Sequence, residues 1–188
     1  LKTDQSLDRP DIQHHFVIGL IDDHLRKLHY GYGYSCHVCL LRPYSRGTVS
    51  LASAKESDAP LINPNFLKDS RDVETLVKGA KMTQNILNTP PLKRYQKKEI
   101  YGVHSNLTDK EWEQHIRNRA DTIYHPVGTC KMGKDPLAVV NSSLKIRGLK
   151  NIRVADASIM PTITSGNTNA PTIMIGEKCA TMIMDVHA

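Results

Sequence analysis

The C-terminal end of this chain constrains its fold more than any other stretch. Residues 152–155 form a short apolar run with the character of a β-strand. Pro161 follows, and because the residue before a proline avoids the helical region, the chain must turn there in an extended conformation. Turn and helix-capping residues over 165–169 then lead to Pro171, which fits the first turn of a helix because its missing N–H has no helical acceptor there. The pattern predicts a strand, a loop and a helix that ends near Met184.

The start of this predicted helix is suited to binding an anionic group. Its first N–H groups have no intrahelical acceptor and carry a partial positive charge. Asn167, in the loop just before the helix, has an amide that can donate a hydrogen bond to a ligand oxygen. The same residue also suits a structural role as a helix cap, and the sequence leaves both roles open.

A second stretch, residues 124–133, reads Y-H-P-V-G-T-C-K-M-G. Its histidine, His125, carries an imidazole, a group whose ordinary pKa of about 6.5 lets it accept a proton near neutral pH. Pro126 stiffens the backbone that follows, and Gly128 lets another group approach closely. A single histidine is more often a hydrogen-bonded structural residue than a catalyst, so the motif alone does not settle its role.

Both stretches resemble the C-terminal part of the glucose–methanol–choline (GMC) flavoprotein oxidoreductases. The later stretch carries the resemblance in V-A-D-A-S-I-M-P-T-I-T-S-G-N-T-N-A-P-T-I-M-I-G-E-K, which starts at Val154. It is similar in particular to the branch that contains choline dehydrogenases and primary-alcohol dehydrogenases. The resemblance continues through P-D-I-Q-H-H-F-V from Pro10 and S-R-G-T-V from Ser45, so it covers nearly the whole chain.

The resemblance implies a catalytic pair and a reaction. His125 matches the family's active-site histidine, and Asn167 matches its second active-site position, which is His in some members and Asn in others. The implied reaction oxidises a primary alcohol, either an aliphatic alcohol or choline, to the aldehyde. His125 would take the hydroxyl proton and Asn167 would hold the oxygen, with FAD as the hydride acceptor.

The resemblance also implies where FAD would bind. Asn169 and Thr172 match positions where the family brings a helix start against the flavin. The N–H groups of that helix start would stabilise negative charge on the reduced ring. Asp156 and Ala157 match positions that contact FAD near its diphosphate.

Two other functions remain open at this point. The GMC family contains hydroxynitrile lyases, which use the same histidine as a base without redox turnover, and a binding or structural fragment without activity is the second alternative. Choline recognition would call for an aromatic cage around the quaternary ammonium. Aromatic residues are only 5% of the chain and no carboxylate–aromatic cluster is visible in the sequence, which favours an aliphatic alcohol. The electron acceptor, a quinone or oxygen, is also open.

The predicted fold class is α+β, a mostly antiparallel sheet flanked by helices, as in the GMC substrate-binding domain, plus a C-terminal strand–loop–helix that belongs to the FAD domain. Residues 1–140 are expected to form the substrate-binding domain with the histidine loop, and residues 141–188 the segment that returns to the FAD domain. Predicted strands are 11–20, 35–41, 48–52, 144–146 and 152–154, and predicted helices are 69–88, one that starts at a capping box at Thr108, and the C-terminal helix.

The second and third of these strands are expected to form an antiparallel pair. They are joined through Arg42-Pro43-Tyr44-Ser45-Arg46-Gly47, in which proline and glycine indicate a turn. An adjacent pair of strands with a short connection is typical of a hairpin.

Composition and charge exclude several classes of protein. With 39% hydrophobic and 23% charged residues, the chain is globular in composition rather than disordered. The net charge of +6 comes from scattered lysines, without the clustered basic stripe of a nucleic-acid-binding protein. No apolar run approaches the roughly 20 residues of a membrane-spanning helix.

The cysteines favour neither a metal site nor disulfides. Cys36 and Cys39 have C-x-x-C spacing, but strand positions three apart face opposite sides, and no second pair completes a zinc site. We therefore expect no metal, free thiols and a reducing, cytoplasmic compartment, with association with the inner face of a membrane left open.

The sequence lacks the G-x-G-x-x-G motif that the family places in an N-terminal Rossmann-like FAD domain. Gly31-Tyr32-Gly33 has neither the third glycine nor a following helix pattern. We therefore expect this chain to be the C-terminal portion of a longer enzyme. We expect it to bind FAD weakly or not at all on its own.

Overall fold

A computed structural model describes residues 1–101 and 106–187 of the chain. The chain forms two compact units, one from Leu1–Ser45 with Phe66–Ile123 and the other from Arg46–Asn65 with Tyr124–Ala188. Each unit combines helical segments with a small antiparallel sheet of two strands. The predicted class, antiparallel sheet flanked by helices, is confirmed, with two small sheets in place of one larger sheet.

In the first unit, helices pack against a two-stranded sheet. Its elements are β1 Ile12–Val17, a 3-10 turn at Asp23–Leu25, β2 Ser35–Leu40, α1 Ser70–Leu87, α2 Pro90–Lys93 and α3 Asp109–Arg119. β1 and β2 are antiparallel, with Ile12 opposite Leu40 and Val17 opposite Ser35. α1 packs on both β2 and α3, so it forms the centre of this unit.

The two longer helices of this unit begin at local capping signals. Asp69 caps α1 by accepting a hydrogen bond from the Arg71 N–H at 3.0 Å. Thr108 and Glu111 form the predicted capping box at α3, since each side chain accepts from the backbone N–H of the other residue. Both predicted helices are confirmed. They could be predicted because the capping residues lie within a few residues of each helix start.

Apolar side chains of α1 and α3 form the core of the first unit. The buried members are Val73, Leu76, Val77, Trp112 and Ile116. α1 also approaches the sheet closely at Gly79, where an added Cβ would lie 2.9 Å from a methyl group of Val38. Next to this contact, the Nε2 atom of His14 on β1 lies 2.8 Å from the hydroxyl of Thr83 on α1.

The predicted pairing of the second and third strands is wrong. β2 pairs with β1, and the next strand, β3 Thr48–Ser50, pairs with β4 Leu61–Asn63. The reason is a buried carboxylate on α1: Asp72 accepts hydrogen bonds from the N–H groups of Tyr44 and Ser45 at 2.7 and 2.8 Å. These bonds hold the connection against the helix, so the chain does not reverse onto β2.

The second unit contains the β3–β4 hairpin, a 3-10 turn at Ala157–Ile159 and the long helix α4 Asn169–His187. α4 confirms the predicted C-terminal helix, with Pro171 as its third residue. Over the described residues, 1–101 and 106–187, no helix combines the length and apolar character needed to span a bilayer.

The predicted strands at 144–146 and 152–154 are wrong. These residues make only isolated bridges, such as the one between Lys145 and Arg153. Leu144 and Asn151 adopt φ values of 63° and 59°. Residues with a left-handed φ interrupt the hydrogen-bond ladder between extended strands, so the segment folds into short turns instead of strands.

We predict that the first unit loses stability in acid, because two of its histidines have a lowered pKa. Burial lowers the pKa of His14 and of His115, and the charge of Arg119 lowers the pKa of His115 further. Because the folded-state pKa is depressed, the unfolded chain takes up protons first as the pH falls below about 6.5. The free energy of unfolding, followed by Trp112 fluorescence, should therefore be lower at about pH 5.5 than at about pH 7.5.

The variant His14→Gln should make this decline shallower, because it removes one of the two groups that the folded state keeps neutral. The matched control is His37→Gln on β2, where the side chain is exposed. A decline that is as steep in the His14 variant as in the unaltered protein would contradict this account.

Candidate active site

The hydrophobic core of the second unit joins the two stretches that the sequence singled out. Val127 and Met132 from the histidine stretch and Ala157 from the later stretch pack against it. The buried members of this core are Val140, Leu144, Ile159, Met160, Ile175 and Cys179. Because Ile175 and Cys179 belong to α4, the core also anchors the helix that follows Asn167.

Backbone hydrogen bonds align the two stretches. The Cys130 N–H donates to the Ser158 carbonyl at 3.0 Å, and the Met132 N–H donates to the Ile159 carbonyl at 2.7 Å. These bonds run from the end of the histidine motif to the 3-10 turn. They hold the two stretches side by side, after His125 in one stretch and before Asn167 in the other.

Gly128 is a point of close approach between the same stretches. Its φ is +91°, and an added Cβ would lie 3.2 Å from the Met160 carbonyl oxygen. A side chain at this position would be strained by its backbone and would also press on the neighbouring segment. The expectation that Gly128 lets another group approach is confirmed.

The imidazole of His125 contacts the residue next to Asn167. Its Nδ1 atom lies 3.1 Å from the hydroxyl oxygen of Thr168 and 3.4 Å from the Thr168 backbone nitrogen. His125 is half-buried, Thr168 is buried and Asn167 is exposed. The structure thus brings together two positions that are 43 residues apart in the chain.

The start of α4 lies directly beside this contact. The Thr168 carbonyl accepts the first helical hydrogen bond, from the Thr172 N–H at 3.0 Å, and a second bond from the Thr172 hydroxyl at 2.6 Å. Asn169 and Ala170 are exposed, and in the described part of the chain their N–H groups have no acceptor. These N–H groups give the helix start the anion-binding character that the sequence indicated.

The other two candidate cofactor residues lie at the 3-10 turn. Asp156 is exposed and caps the turn, because its Oδ1 atom accepts from the Ser158 N–H at 2.8 Å and from the Ser158 hydroxyl at 2.5 Å. Ala157 is half-buried and packs against the core of the second unit. Asp156 therefore shapes the backbone at Ala157 and holds the turn to which the histidine stretch is bonded.

Left-handed backbone conformations precede both candidate catalytic residues. Tyr124, immediately before His125, has φ 65°, and Ser165, two residues before Asn167, has φ 70°. Such a conformation in a residue other than glycine costs about 1–3 kcal/mol and persists only where the surrounding contacts hold it. The core and the backbone bonds described above supply those contacts.

Arg147 stabilises the loop that leaves the histidine motif. Its guanidinium donates to the carbonyls of Gly133 and Asp135 at 2.7 and 2.9 Å. Lys131 bonds the Asp135 carboxylate at 2.9 Å, and this bond lowers the pKa of Asp135. These contacts stabilise the backbone just after residues 130–132, the segment that is hydrogen-bonded to the 3-10 turn.

The first unit contains a carboxylate–aromatic cluster that sequence reasoning missed. Asp22 accepts hydrogen bonds from the Tyr101 hydroxyl and from His29, at 2.8 Å for the latter. Burial and this bond to Asp22 raise the pKa of Tyr101, while the bond lowers the pKa of Asp22. Arg119 lies 3.1 Å over the Tyr101 ring centroid, so a cation of the protein itself covers this aromatic face.

The sequence carried no local signal for this cluster, because its members come from separate segments. Asp22 and Tyr101 are 79 residues apart in the chain. In the described residues, no group of three or more His, Cys, Asp or Glu side chains is arranged to hold a metal ion.

A model of the GMC oxidoreductase family matches residues 43–176. The chain is 50% identical to an alcohol dehydrogenase [acceptor] of Pseudomonas putida over 184 residues, which are 98% of this chain and 33% of the relative. It is 40% identical to the mitochondrial choline dehydrogenase of Mus musculus over 185 residues, which are 97% of this chain and 31% of that protein. The chain thus spans about a third of the length of the curated relatives that it matches.

Solved structures show the same fold. A formate oxidase of Aspergillus oryzae, studied for FAD modification, superposes with a TM-score of 0.88 at 30% identity, covering 96% of this chain and 32% of that one. A pyridoxine 4-oxidase of Mesorbium loti superposes with a TM-score of 0.86 at 30% identity, covering 96% of this chain and 36% of that one. The fold resembles that of FAD-dependent oxidoreductases over nearly all of this chain.

Substituting Gly128→Ala tests the close approach between the two stretches, with Gly148→Ala as a matched control. Both glycines have positive φ, but a Cβ at Gly148 would meet nothing within 4 Å. Each variant should lose about 1–2 kcal/mol of stability from the left-handed backbone. The Gly128 variant should lose more, because its Cβ also presses on the Met160 carbonyl. Equal losses in thermal unfolding would show that the close approach does not matter.

Proposed function

For this chain, which belongs to the GMC oxidoreductase family, we propose the function of a catalytic C-terminal portion in an FAD-dependent alcohol dehydrogenase. The proposed reaction converts a primary alcohol to its aldehyde. The observation that supports the proposal is the contact between His125 and Thr168, because Thr168 follows Asn167 in the chain and directly precedes α4.

We assign proton transfer to His125. Thr168 occupies the Nδ1 side of the imidazole, so Nε2 is the ring nitrogen that we assign to the substrate hydroxyl. A neutral imidazole accepts the hydroxyl proton as the oxygen becomes part of a carbonyl group. The Asn167 amide donates a hydrogen bond to the same oxygen and fixes its position relative to Nε2.

The residues at the start of α4 and at the 3-10 turn fit an FAD cofactor. The N–H groups of Asn169 and Ala170 have no acceptor in the described part of the chain and are exposed, which suits a ring that gains negative charge. We assign Asn169 and Thr172 to the flavin side and Asp156 and Ala157 to the diphosphate side of the site. When bound, FAD supplies the acceptor for the carbon-bound hydrogen.

We propose a primary aliphatic alcohol rather than choline as the substrate. The support is the higher identity to the alcohol dehydrogenase than to the choline dehydrogenase, 50% against 40% over similar lengths.

Substituting His125→Ala in the full-length, FAD-loaded protein tests the proposed function. General-base catalysis contributes about 10²–10⁴ in rate, so anaerobic reduction of the flavin by a primary alcohol should slow by a factor in that range. The absorbance of the oxidised flavin during rapid mixing gives the rate directly. The matched control is His37→Ala, an exposed histidine on β2, which should reduce at the rate of the unaltered protein.

An unaltered rate in the His125 variant would remove this imidazole from the mechanism. Choline tested beside a medium-chain aliphatic alcohol separates the two substrate classes, since the proposal expects faster reduction by the aliphatic alcohol. Re-oxidation of the reduced protein by a soluble quinone or by oxygen then identifies the electron acceptor.

A further inference from the structure

The connection between β1 and β2, residues 18–34, exposes several large apolar and aromatic side chains, and we call it the tyrosine loop. Its exposed members are Ile18, Leu25, Leu28, Tyr30 and Tyr32. Ile18 and Tyr30 are 90% and 95% exposed, and Tyr32 is fully exposed. A single exposed apolar residue is ordinary, but this number in one connection indicates a surface that binds a protein or a membrane.

A basic segment, residues 92–101, lies beside the tyrosine loop and is bonded to it at both ends. The Tyr34 hydroxyl donates to the Leu92 carbonyl at 3.2 Å, and the Tyr101 hydroxyl donates to the Asp22 carboxylate. The segment carries four exposed cationic side chains: Lys93, Arg94, Lys97 and Lys98. Within residues 1–101 and 106–187, none of the four forms an ion pair.

The carboxylates of the tyrosine loop are paired inside the first unit. Asp22 accepts hydrogen bonds from Tyr101 and His29. Asp23 is bonded by the guanidinium of Arg26 at 2.8 Å. These contacts offset the negative charge of the loop, and in the basic segment only Glu99 opposes the four cations. The combined surface is therefore apolar and basic.

We propose that the tyrosine loop and the basic segment together bind the surface of an anionic phospholipid bilayer. Tyrosine suits the membrane–water interface, because its ring can enter apolar surroundings while its hydroxyl stays hydrated. Lysine and arginine side chains beside the ring are attracted to the phosphates of anionic lipids. The proposal concerns the first unit and does not depend on the reaction assigned to the second.

A bilayer suits this surface better than a folded protein partner does. Side chains that are at least nine-tenths exposed project singly from the backbone, and a protein partner would need a matching pocket for each. A bilayer needs no such pockets, because apolar side chains enter its interface without a fixed complementary shape. The tip of the loop is also clear of neighbours, since a Cβ added at Gly31, between the two tyrosines, would meet nothing within 4 Å.

Flotation of the full-length, FAD-loaded protein with lipid vesicles tests the proposal. Vesicles that contain phosphatidylglycerol should carry the protein to the top of a density gradient, and vesicles of phosphatidylcholine alone should carry much less. Added salt should weaken the binding, because ions screen the attraction between the cations and the lipid phosphates. Protein that stays at the bottom with both kinds of vesicle would overturn the proposal and would favour a protein partner for the loop.

The cationic contribution is tested with the double variant Lys97→Gln and Lys98→Gln. Its affinity for phosphatidylglycerol vesicles should fall about 30-fold, because each cation near an anionic surface contributes to binding. The matched control is Lys134→Gln with Lys150→Gln, which removes the same charge from exposed positions of the second unit. Equal losses in the two variants would mean that net charge alone causes the binding, and would overturn the assigned surface.

The aromatic contribution is tested with Tyr30→Ser and Tyr32→Ser together. This variant should bind phosphatidylglycerol vesicles at least about tenfold more weakly, because it removes apolar area from the interface. Leu137→Ser with Leu149→Ser, at exposed positions of the second unit, is the matched control and should bind as the unaltered protein does. Unchanged binding of the tyrosine variant would contradict the proposal.

Folding of the variants is checked without vesicles. All the substituted side chains are exposed, so each variant should keep its flavin content and its rate of flavin reduction by an alcohol. Vesicle binding is measured without any substrate. A protein that binds anionic vesicles but oxidises no alcohol would therefore refute the proposed function and leave the membrane surface in place.

Discussion

The candidate active site depends on the pairing of two short backbone segments, residues 130–132 and 158–159. Two N–H···O=C bonds join them, at 3.0 and 2.7 Å. One segment follows His125 and the other precedes Asn167, so the pairing brings the two residues into one region of the second unit. The contact between Thr168 and the Nδ1 atom of the His125 ring completes the arrangement.

Packing provides the energy that holds this arrangement. The left-handed residues Tyr124 and Ser165 together cost on the order of 2–6 kcal/mol, and two backbone hydrogen bonds contribute only about 1–3 kcal/mol. Full burial of an aliphatic or methionine side chain contributes about 1.5–3 kcal/mol each. Val140, Leu144, Ile159, Met160 and Ile175 are all buried in the core that lies between the two stretches and α4. The packing of this core holds the two strained residues in place.

Signals that act within a few residues made the helices predictable. The capping box at Thr108 and the proline early in α4 both locate helices that the structure contains. Strand pairing was not predictable, because the connection after β2 is held by Asp72, which lies far along the chain. The strands proposed near Leu144 were wrong because a left-handed φ in a leucine leaves no mark in the sequence.

The site was only partly visible in the sequence. His125 and Asn167 stood out through a resemblance, whereas Thr168 did not. Asp22 and Tyr101 could not be associated at all, since only the folded chain brings them together. A site can be predicted from a sequence when its residues are close together in the chain, whereas contacts between distant residues become visible only in the folded structure.

The central claim is that His125 and Asn167 act on the same substrate oxygen. A double-mutant cycle on the rate of alcohol-driven flavin reduction, with His125→Ala, Asn167→Ala and both together, measures this most directly, since residues that share a site are not independent. The account predicts that the double variant is only slightly slower than the His125 variant alone. If the rate reduction in the double variant equals the product of the reductions in the two single variants, the two residues act independently, and this result would contradict the account.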